Sequence, residues 1–425
     1  MKIGFKTFGC RANSVDTDTL WLEAERRGFE VVSDKDFADA YILNSCTVTE
    51  DADRSARNYA RRLKRQNPNS LVAVIGCYGQ TGRDELLKMP SVDVVLGTAD
   101  KHQVFDYFNN PTSKDRVQES TGYLPEKFLG SRRARASIKV QDGCNFKCSF
   151  CIIPQARGRS RSLPLETVLE QVREAREQGF EEVVLTGIHL AHYGWDQRTD
   201  LLDLLKAIFR EPGGPRVRLS TLDPFEIPDG LIEMLRTEKR LCPYFHIALQ
   251  SGSDKVLSEM RRFYSASEFE AVTHKLFSAN PDVYVGVDII VGFPGETEAD
   301  FEQTITCLRR SVWTKLHVFP FSVRRDTAAE KMGGKVSAPE IERRAGILRE
   351  LSDQQYQRYV ASQRGKTKDV LLERKSPTSP GTWTGHTENY LPSLIQFPGG
   401  KRRRLVKAVV GGREGEWVWT EATLS

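Results

Sequence analysis

The chain has 425 residues, 39% of them hydrophobic and 28% charged, with a formal net charge of +5. Hydrophobic cores stop growing near roughly 250–300 residues, so one domain is excluded and two or three are expected. No run of about 18 apolar residues is present to span a bilayer, and residues 1–6 lack the succession of a signal peptide, so a cytosolic protein without membrane contact is expected.

The pattern opens with a strand over 2–8 and a helix over 15–27 ended by Gly28. Strand-like runs follow at 29–32 and 40–44, then a helix over 51–66 stopped by Asn67-Pro68, and a strand over 71–75. Strands alternating with helices indicate a parallel α/β sheet. The alternation reaches 94–96 and dissolves where Pro, Ser, Lys and Gly accumulate, which predicts an N-terminal domain of 1–110 and a linker of 111–135.

From residue 136 strands at 137–141, 182–186, 217–220, 244–249, 283–290 and 313–319 interleave with helices at 165–178, 201–209, 230–235, 267–278 and 298–309. Such repeats predict a partial or full β/α barrel over 136–364, with its chemistry at the carboxyl ends of the strands. A Glu- and Arg-rich helix over 339–363 precedes short strands with Gly and Pro turns, which predict a small β-barrel over 365–425. That last segment holds ten Lys or Arg against six acids, hence +4 of the chain's +5. A polyanionic partner or a merely solvated basic face both fit it. The Lys401-Arg-Arg-Arg404 run suggests an RNA-contacting loop on a detachable module.

Eight cysteines in a reducing compartment point to metal binding or catalysis rather than disulfides. Cys144, Cys148 and Cys151 stand just after the first strand of the second domain. Three thiolates on a four-iron cluster leave one iron open for a small molecule. Zinc is the rival, but it normally takes four closed ligands in paired spacing; His189, His192 or His246 are the available supplements. Cys10, Cys46 and Cys77 each lie just past a strand of the N-terminal sheet, where open α/β sheets place ligands, so one shared site is expected; three buried core thiols are the alternative. Cys242 and Cys307 read as core. Arg157, Arg159 and Arg161 follow the cysteine loop and suit phosphates or a carboxylate, or else a solvated loop. His246, Gln250 and Ser251 at a strand end read as pocket-lining groups.

Cys144-x3-Cys148-x2-Cys151, with Phe150 before the last cysteine, resembles the radical-SAM superfamily. The words Phe8-Gly-Cys10-Arg-Ala-Asn13, Asn44-Ser-Cys46-Thr and Gly76-Cys77 are similar to the N-terminal domain of methylthiotransferases. Thr186-Gly-Ile-His, His246-Ile-Ala-Leu-Gln-Ser-Gly and Gly292-Phe-Pro-Gly-Glu-Thr resemble the same family, and Gly385-His-Thr-Glu-Asn-Tyr390 resembles the nucleic-acid-binding TRAM domain. Within the family the motifs look most like the MtaB branch. The resemblance implies two 4Fe-4S clusters, one on each cysteine trio, and S-adenosylmethionine (SAM). It implies methylthiolation of N6-threonylcarbamoyladenosine in tRNA, with a sulfur donor and an electron donor such as flavodoxin or ferredoxin, by a monomer. Phe150, Thr186, Gly187, Gln250, Asp288 and Gly292 are then expected along the cofactor. Isopentenyladenosine, a ribosomal-protein aspartate, and a zinc-stabilised RNA-binding protein without catalysis are the alternatives. The chain departs from the common Lys-Val-Asn after the first cysteine, carrying Arg11-Ala12-Asn13.

Overall fold

A computed structural model describes residues 1–109, 115–116, 124–125, 127–376, 379–415 and 417–422. About half of the linker expected over 111–135, including residues 117–123, therefore lies outside the described residues.

The first sheet is parallel, in the order β2-β1-β3-β4-β5-β6: β1 is Lys2–Thr7, β2 Glu30–Ser33, β3 Ala40–Ser45, β4 Leu71–Gly76, β5 Val94–Leu96 and β6 Asp115–Arg116. Strand residues alternate between its faces. Ile42, Ala73 and Ile75 pack with Leu20 and Ala24 of helix α1 (Arg11–Arg26), whereas Leu43, Val72 and Val74 pack with Ala56, Ala60 and Leu63 of α2 (Glu50–Gln66). Helices on both faces explain the near-continuous apolar strands. Thr49 caps α2 by accepting from Ala52 N, with Glu50, Asp51 and Asp53 in the first turn favoured by the helix dipole. The helix α1 begins four residues before the expected start, at Arg11, and its N-cap Cys10 makes no side-chain cap bond.

The central domain is a partial barrel of two parallel sheets. The first joins β7 (Ala136–Lys139), β10 (Glu182–Thr186) and β11 (Arg216–Leu219); between β7 and β10 in sequence, β8 (Gln141–Asp142) and β9 (Arg161–Ser162) form a separate ladder. The second joins β12 (Thr221–Leu222), β13 (Tyr244–Gln250), β14 (Tyr284–Val291) and β15 (Lys315–Pro320). Val183, Leu185, Val217, Ile247 and Val287 face the outer helices in one continuous core. The alternate residues face inward and include Glu182, Arg218, His246 and Asp288. The N-terminal domain covers the open side: Asp16 of α1 is ion-paired with Lys139 of β7 and, at 2.5 Å, with Lys101, all three fully buried.

The C-terminal strands β16 (Thr367–Lys375), β17 (Thr382–His386), β18 (Pro392–Gln396), β19 (Leu405–Glu414) and β20 (Trp417–Ala422) close as a five-stranded barrel. It is not a tethered module. Arg216 donates to the carbonyls of Asp369 and His386, and Arg218 to those of Glu388 and Thr387. Tyr244 and Tyr284 of the central barrel share a buried cluster with Leu391, Val410 and Val418. The segment around His386–Tyr390 is thus the floor of the central barrel. Its neighbouring basic loop is also partly consumed: Arg403 donates to Ser131 O and lies over Phe180, and Arg404 pairs with Glu181.

Candidate active site between two cysteine trios

Strands β1, β3 and β4 are neighbours, and Cys10, Cys46 and Cys77 follow their carboxyl ends in turn. The sheet changes winding direction there, where open α/β sheets hold ligands. Gly9 makes the approach possible: with φ at +85°, a Cβ on it would stand 2.5 Å from Cys46 Sγ. Burial above all, and then the negative charges that Cys77 and Cys10 would carry, push the Cys46 thiol up to about 12. The register pairs Thr7 with Asn44 and Ser45 with Gly76, so the three cysteines leave adjacent strand ends.

Cys144, Cys148 and Cys151 occupy the loop between β8 and a short helix, Ile153–Arg157. The loop is pinned by backbone bonds from Cys151 N to Cys148 O at 3.1 Å, Cys144 N to Gly158 O at 3.0 Å and Ser149 N to Met260 O at 3.1 Å. Burial above all, with smaller contributions from Cys148 and Cys144, raises the Cys151 thiol to about 12. All eight cysteines are free.

Each trio has the surroundings that suit cluster thiolates. Phe146 N donates to Cys144 Sγ at 3.4 Å and Val48 N to Cys46 Sγ at 3.5 Å, the type of hydrogen bond that tunes cluster sulfurs. Arg262 Nη1 donates to Cys148 Sγ at 3.2 Å, and Arg157 Nε to Cys77 Sγ at 3.3 Å. The role of Arg262 was not foreseen. Its partners Cys148 and Asp223 lie 114 and 39 residues away, so no local spacing could signal it.

A cavity of about 250 Å³ is lined by residues that adjoin Cys46 and Cys151 in the chain. Val48 and Thr49, just past Cys46, form one side; Phe150, Gln250 and Asp288 form the other. Gln250 is held at φ +66°, a strained conformation for a residue with a side chain, and such strain clusters at functional sites. Asp288 is fixed by His246 Nε2 at 2.7 Å. Thr186 and Gly187 do not line this cavity, but a Cβ on Gly187 would meet Gln141 Oε1 at 2.7 Å, which places the segment beside the Cys144 loop. Gly292 is set apart from the cavity. Its missing side chain is required by Ile341, whose Cγ1 would lie 2.3 Å from a Cβ. Ser251 is buried and its Oγ engages Ser253 N, a structural role rather than a pocket-lining one.

Two other expectations change. Arg157 is fully buried; it donates to both oxygens of Asp142 and to Asn13 and Cys77, so it joins the domains and has no freedom to meet RNA. Arg159 is exposed and Arg161 half-buried. His189, His192 and Glu226 do assemble, with Glu226 bridging the two Nε2 atoms at 2.7 and 3.0 Å. The imidazoles stack at 3.7 Å and 29°, and the Glu226 carboxylate already takes up both Nε2 atoms. With His189 Nδ1 3.6 Å from Cys144 Sγ, this cluster reads as a polar wall of the cysteine loop rather than a zinc centre.

Residues 138–308 match the Radical SAM superfamily and residues 2–97 match Uncharacterized protein family UPF0004. The chain is 37% identical, over 92% of its length and 96% of the relative's, to a threonylcarbamoyladenosine tRNA methylthiotransferase MtaB of Aquifex aeolicus. It belongs to the radical-SAM methylthiotransferases, in the MtaB branch. A Thermotoga maritima MtaB is also 37% identical, over 92% of this chain and 90% of that protein. A tRNA-2-methylthio-N(6)-dimethylallyladenosine synthase of Syntrophus aciditrophicus is 33% identical, over 93% and 88%. The fold resembles that of the radical SAM methyltransferase TsrM from Kitasatospora setae, with TM-score 0.56 and 14% identity over 75% of this chain and 74% of that one. Radical-SAM methylthiotransferases of this branch use SAM and two 4Fe-4S clusters, and two trios of free thiols with N–H and guanidinium donors to sulfur fit that requirement. Among the described residues no helix is long and apolar enough to cross a membrane.

Proposed function

We infer that this enzyme adds a methylthio group to C2 of N6-threonylcarbamoyladenosine next to the anticodon of tRNA. The observation that carries the reading is the cavity walled by residues adjoining both cysteine trios, in a chain similar over 92% of its length to relatives named for that activity.

Cys144, Cys148 and Cys151 hold one cluster, and Cys10, Cys46 and Cys77 the other. When bound, these groups with two SAM molecules supply a 5′-deoxyadenosyl radical at the first site and the methylthio group at the second, because an aromatic C–H bond is too inert for acid-base chemistry. The protein's own part is binding, orientation and exclusion of water. Arg262 and Arg157 stabilise thiolate charge at the two sites. Phe150, Gln250 and Asp288 line the shared cavity, with His246 orienting Asp288. Thr186 and Gly187 stand beside the cysteine loop, where they would border bound SAM. Residues 365–425 form a TRAM-like RNA-binding domain on the 136–364 core, behind the 1–110 domain that carries the second trio. A cytosolic monomer, a sulfur donor and an electron donor such as flavodoxin or ferredoxin complete the reading.

Nucleoside mass spectrometry of tRNA from a deletion strain tests it: threonylcarbamoyladenosine should accumulate without its methylthio form. Accumulation of unthiolated isopentenyladenosine with normal threonylcarbamoyl products decides for the rival substrate. Replacing Cys144, Cys148 and Cys151 by Ala should leave about four irons per chain and abolish 5′-deoxyadenosine, whereas replacing the other trio should preserve SAM cleavage but not the product. Cleavage that survives loss of the first trio overturns the assignment.

A further inference from the structure

Arg11 follows Cys10, which is exposed, and it opens helix α1. Its side chain is half-buried and makes no hydrogen bond or ion pair among the described residues. It lines a cavity of about 670 Å³ whose wall runs through Ser137, Val184 and Arg218 to Tyr390 of the C-terminal barrel. Arg135 and Arg218 in this wall, and the exposed Arg132, are already committed. Arg135 and Arg218 hold Glu182, and Arg132 covers the Trp21 ring at 3.2 Å. Tyr390, in the same wall as Arg11, packs against Tyr244 with ring centroids 4.6 Å apart. Tyr244 Oη is 3.4 Å from His246 Nδ1, and His246 binds Asp288, so the wall leads from Arg11 to the smaller cavity.

A guanidinium partly removed from water without an anion is unfavourable, and the natural complement of its planar fork is a carboxylate. The proposed substrate carries one. Its threonyl group is attached at N6, and N6 and C2 lie on the same edge of adenine. The residue next to a cysteine of the trio that serves C2 therefore stands on the side toward which the threonyl acid extends. We propose that Arg11 reads the substrate by a two-pronged ion pair with the threonyl carboxylate. The assignment rests on the functional reading above and adds to it the residue that sets specificity. An isopentenyl group would leave Arg11 unmatched.

The test uses the full-length, iron-loaded enzyme and anticodon stem-loop RNA carrying either the threonylcarbamoyl acid or its methyl ester, with isopentenyl RNA as a third substrate. Wild-type enzyme should prefer acid over ester by roughly 10- to 100-fold in kcat/KM, the scale of one charge-assisted pair. Arg11→Gln and Arg11→Met, each checked for unchanged iron content, should bring the acid down to the ester's level through KM. A wild-type ratio near one, or a variant with full iron that keeps the wild-type preference, overturns the assignment while leaving the substrate reading intact. Wild-type enzyme that modifies isopentenyl RNA and neither threonylcarbamoyl RNA overturns the substrate reading and the assignment with it.

Discussion

Asp16 shows how a single buried charge joins two domains. Burial opposes its ionisation, but Lys101, Lys139 and Arg157 outweigh that and hold its carboxyl below the usual range. Such a network is a weak source of net stability, yet removing one member strands the others in a medium that cannot solvate them. Asp16→Asn should therefore destabilise the chain by about 3–5 kcal/mol, seen as a lower denaturant midpoint with an unchanged slope. A shift under about 1 kcal/mol would show that water reaches the network. At Gly9 the constraint is steric instead: φ is +85° and Cys46 occupies the place of a Cβ. Gly9→Ala should lower iron from about eight to about four per chain while 5′-deoxyadenosine still forms, and retention of full iron would contradict the packing. At this scale the positions of the six trio cysteines have a local pattern, each standing at a strand end or in a short motif. Arg157 was misread as a free cation because its partners Asn13 and Cys77 belong to another domain. Burial across a domain boundary leaves no trace in local spacing.

Elements were legible where periodicity and end signals agreed. The helices Leu165–Glu177 and Glu298–Arg310 fall within a residue of expectation, the second because Thr297 and Asp300 form a capping box. What the pattern concealed is how elements dock. The C-terminal barrel looked separable from its composition, but Glu182 of β10 sits beneath it with Arg135, Arg216 and Arg218, and those arginines reach the barrel's Glu373 and its backbone carbonyls. Burial alone would raise the Glu182 pKa; Arg216, Arg218 and Arg135 together hold it well below the usual range. A lowered folded pKa means stability that is complete above the unfolded value of 4.5 and is lost as pH falls from there through the folded value. Acid should therefore loosen the floor of the central barrel first, and limited proteolysis between the long helix Ala338–Gln363 and β16 should accelerate below pH 4.5. Glu182→Gln should make that cleavage fast at neutral pH as well. Truncation after Arg364 should give an aggregating protein rather than a soluble core, since Tyr244, Tyr284, Arg216 and Arg218 lose their cover. A monodisperse truncated protein with full iron would refute this.

At the scale of the molecule, the surplus positive charge matters by where the fold leaves it free. The run Lys401–Arg404 looked like the RNA-binding loop, yet Arg402, Arg403 and Arg404 spend their donors on Glu373 O, Ser131 O and Glu181. The exposed Arg133, Arg374 and Lys375 instead stand at the larger cavity, which draws on the N-terminal domain, the barrel edge and the C-terminal barrel together. An RNA held there would have its backbone against these cations and its modified base near Arg11 and the cysteines. Phosphate contacts of this kind position the RNA without reading sequence, and each releases counterions on binding. The variant Arg133→Gln, Arg374→Gln, Lys375→Gln should weaken binding of the tRNA anticodon arm and flatten the logarithmic salt dependence by roughly 0.7–0.9 per lost contact. SAM cleavage without RNA should be unchanged, because none of the three touches either trio. Arg404→Gln is the control: it breaks the pair with Glu181 and should lower thermal stability with little effect on the salt slope. If instead the Arg404 variant flattens the slope and the triple variant does not, the RNA lies along the basic loop after all, and the cavity serves the modified base alone.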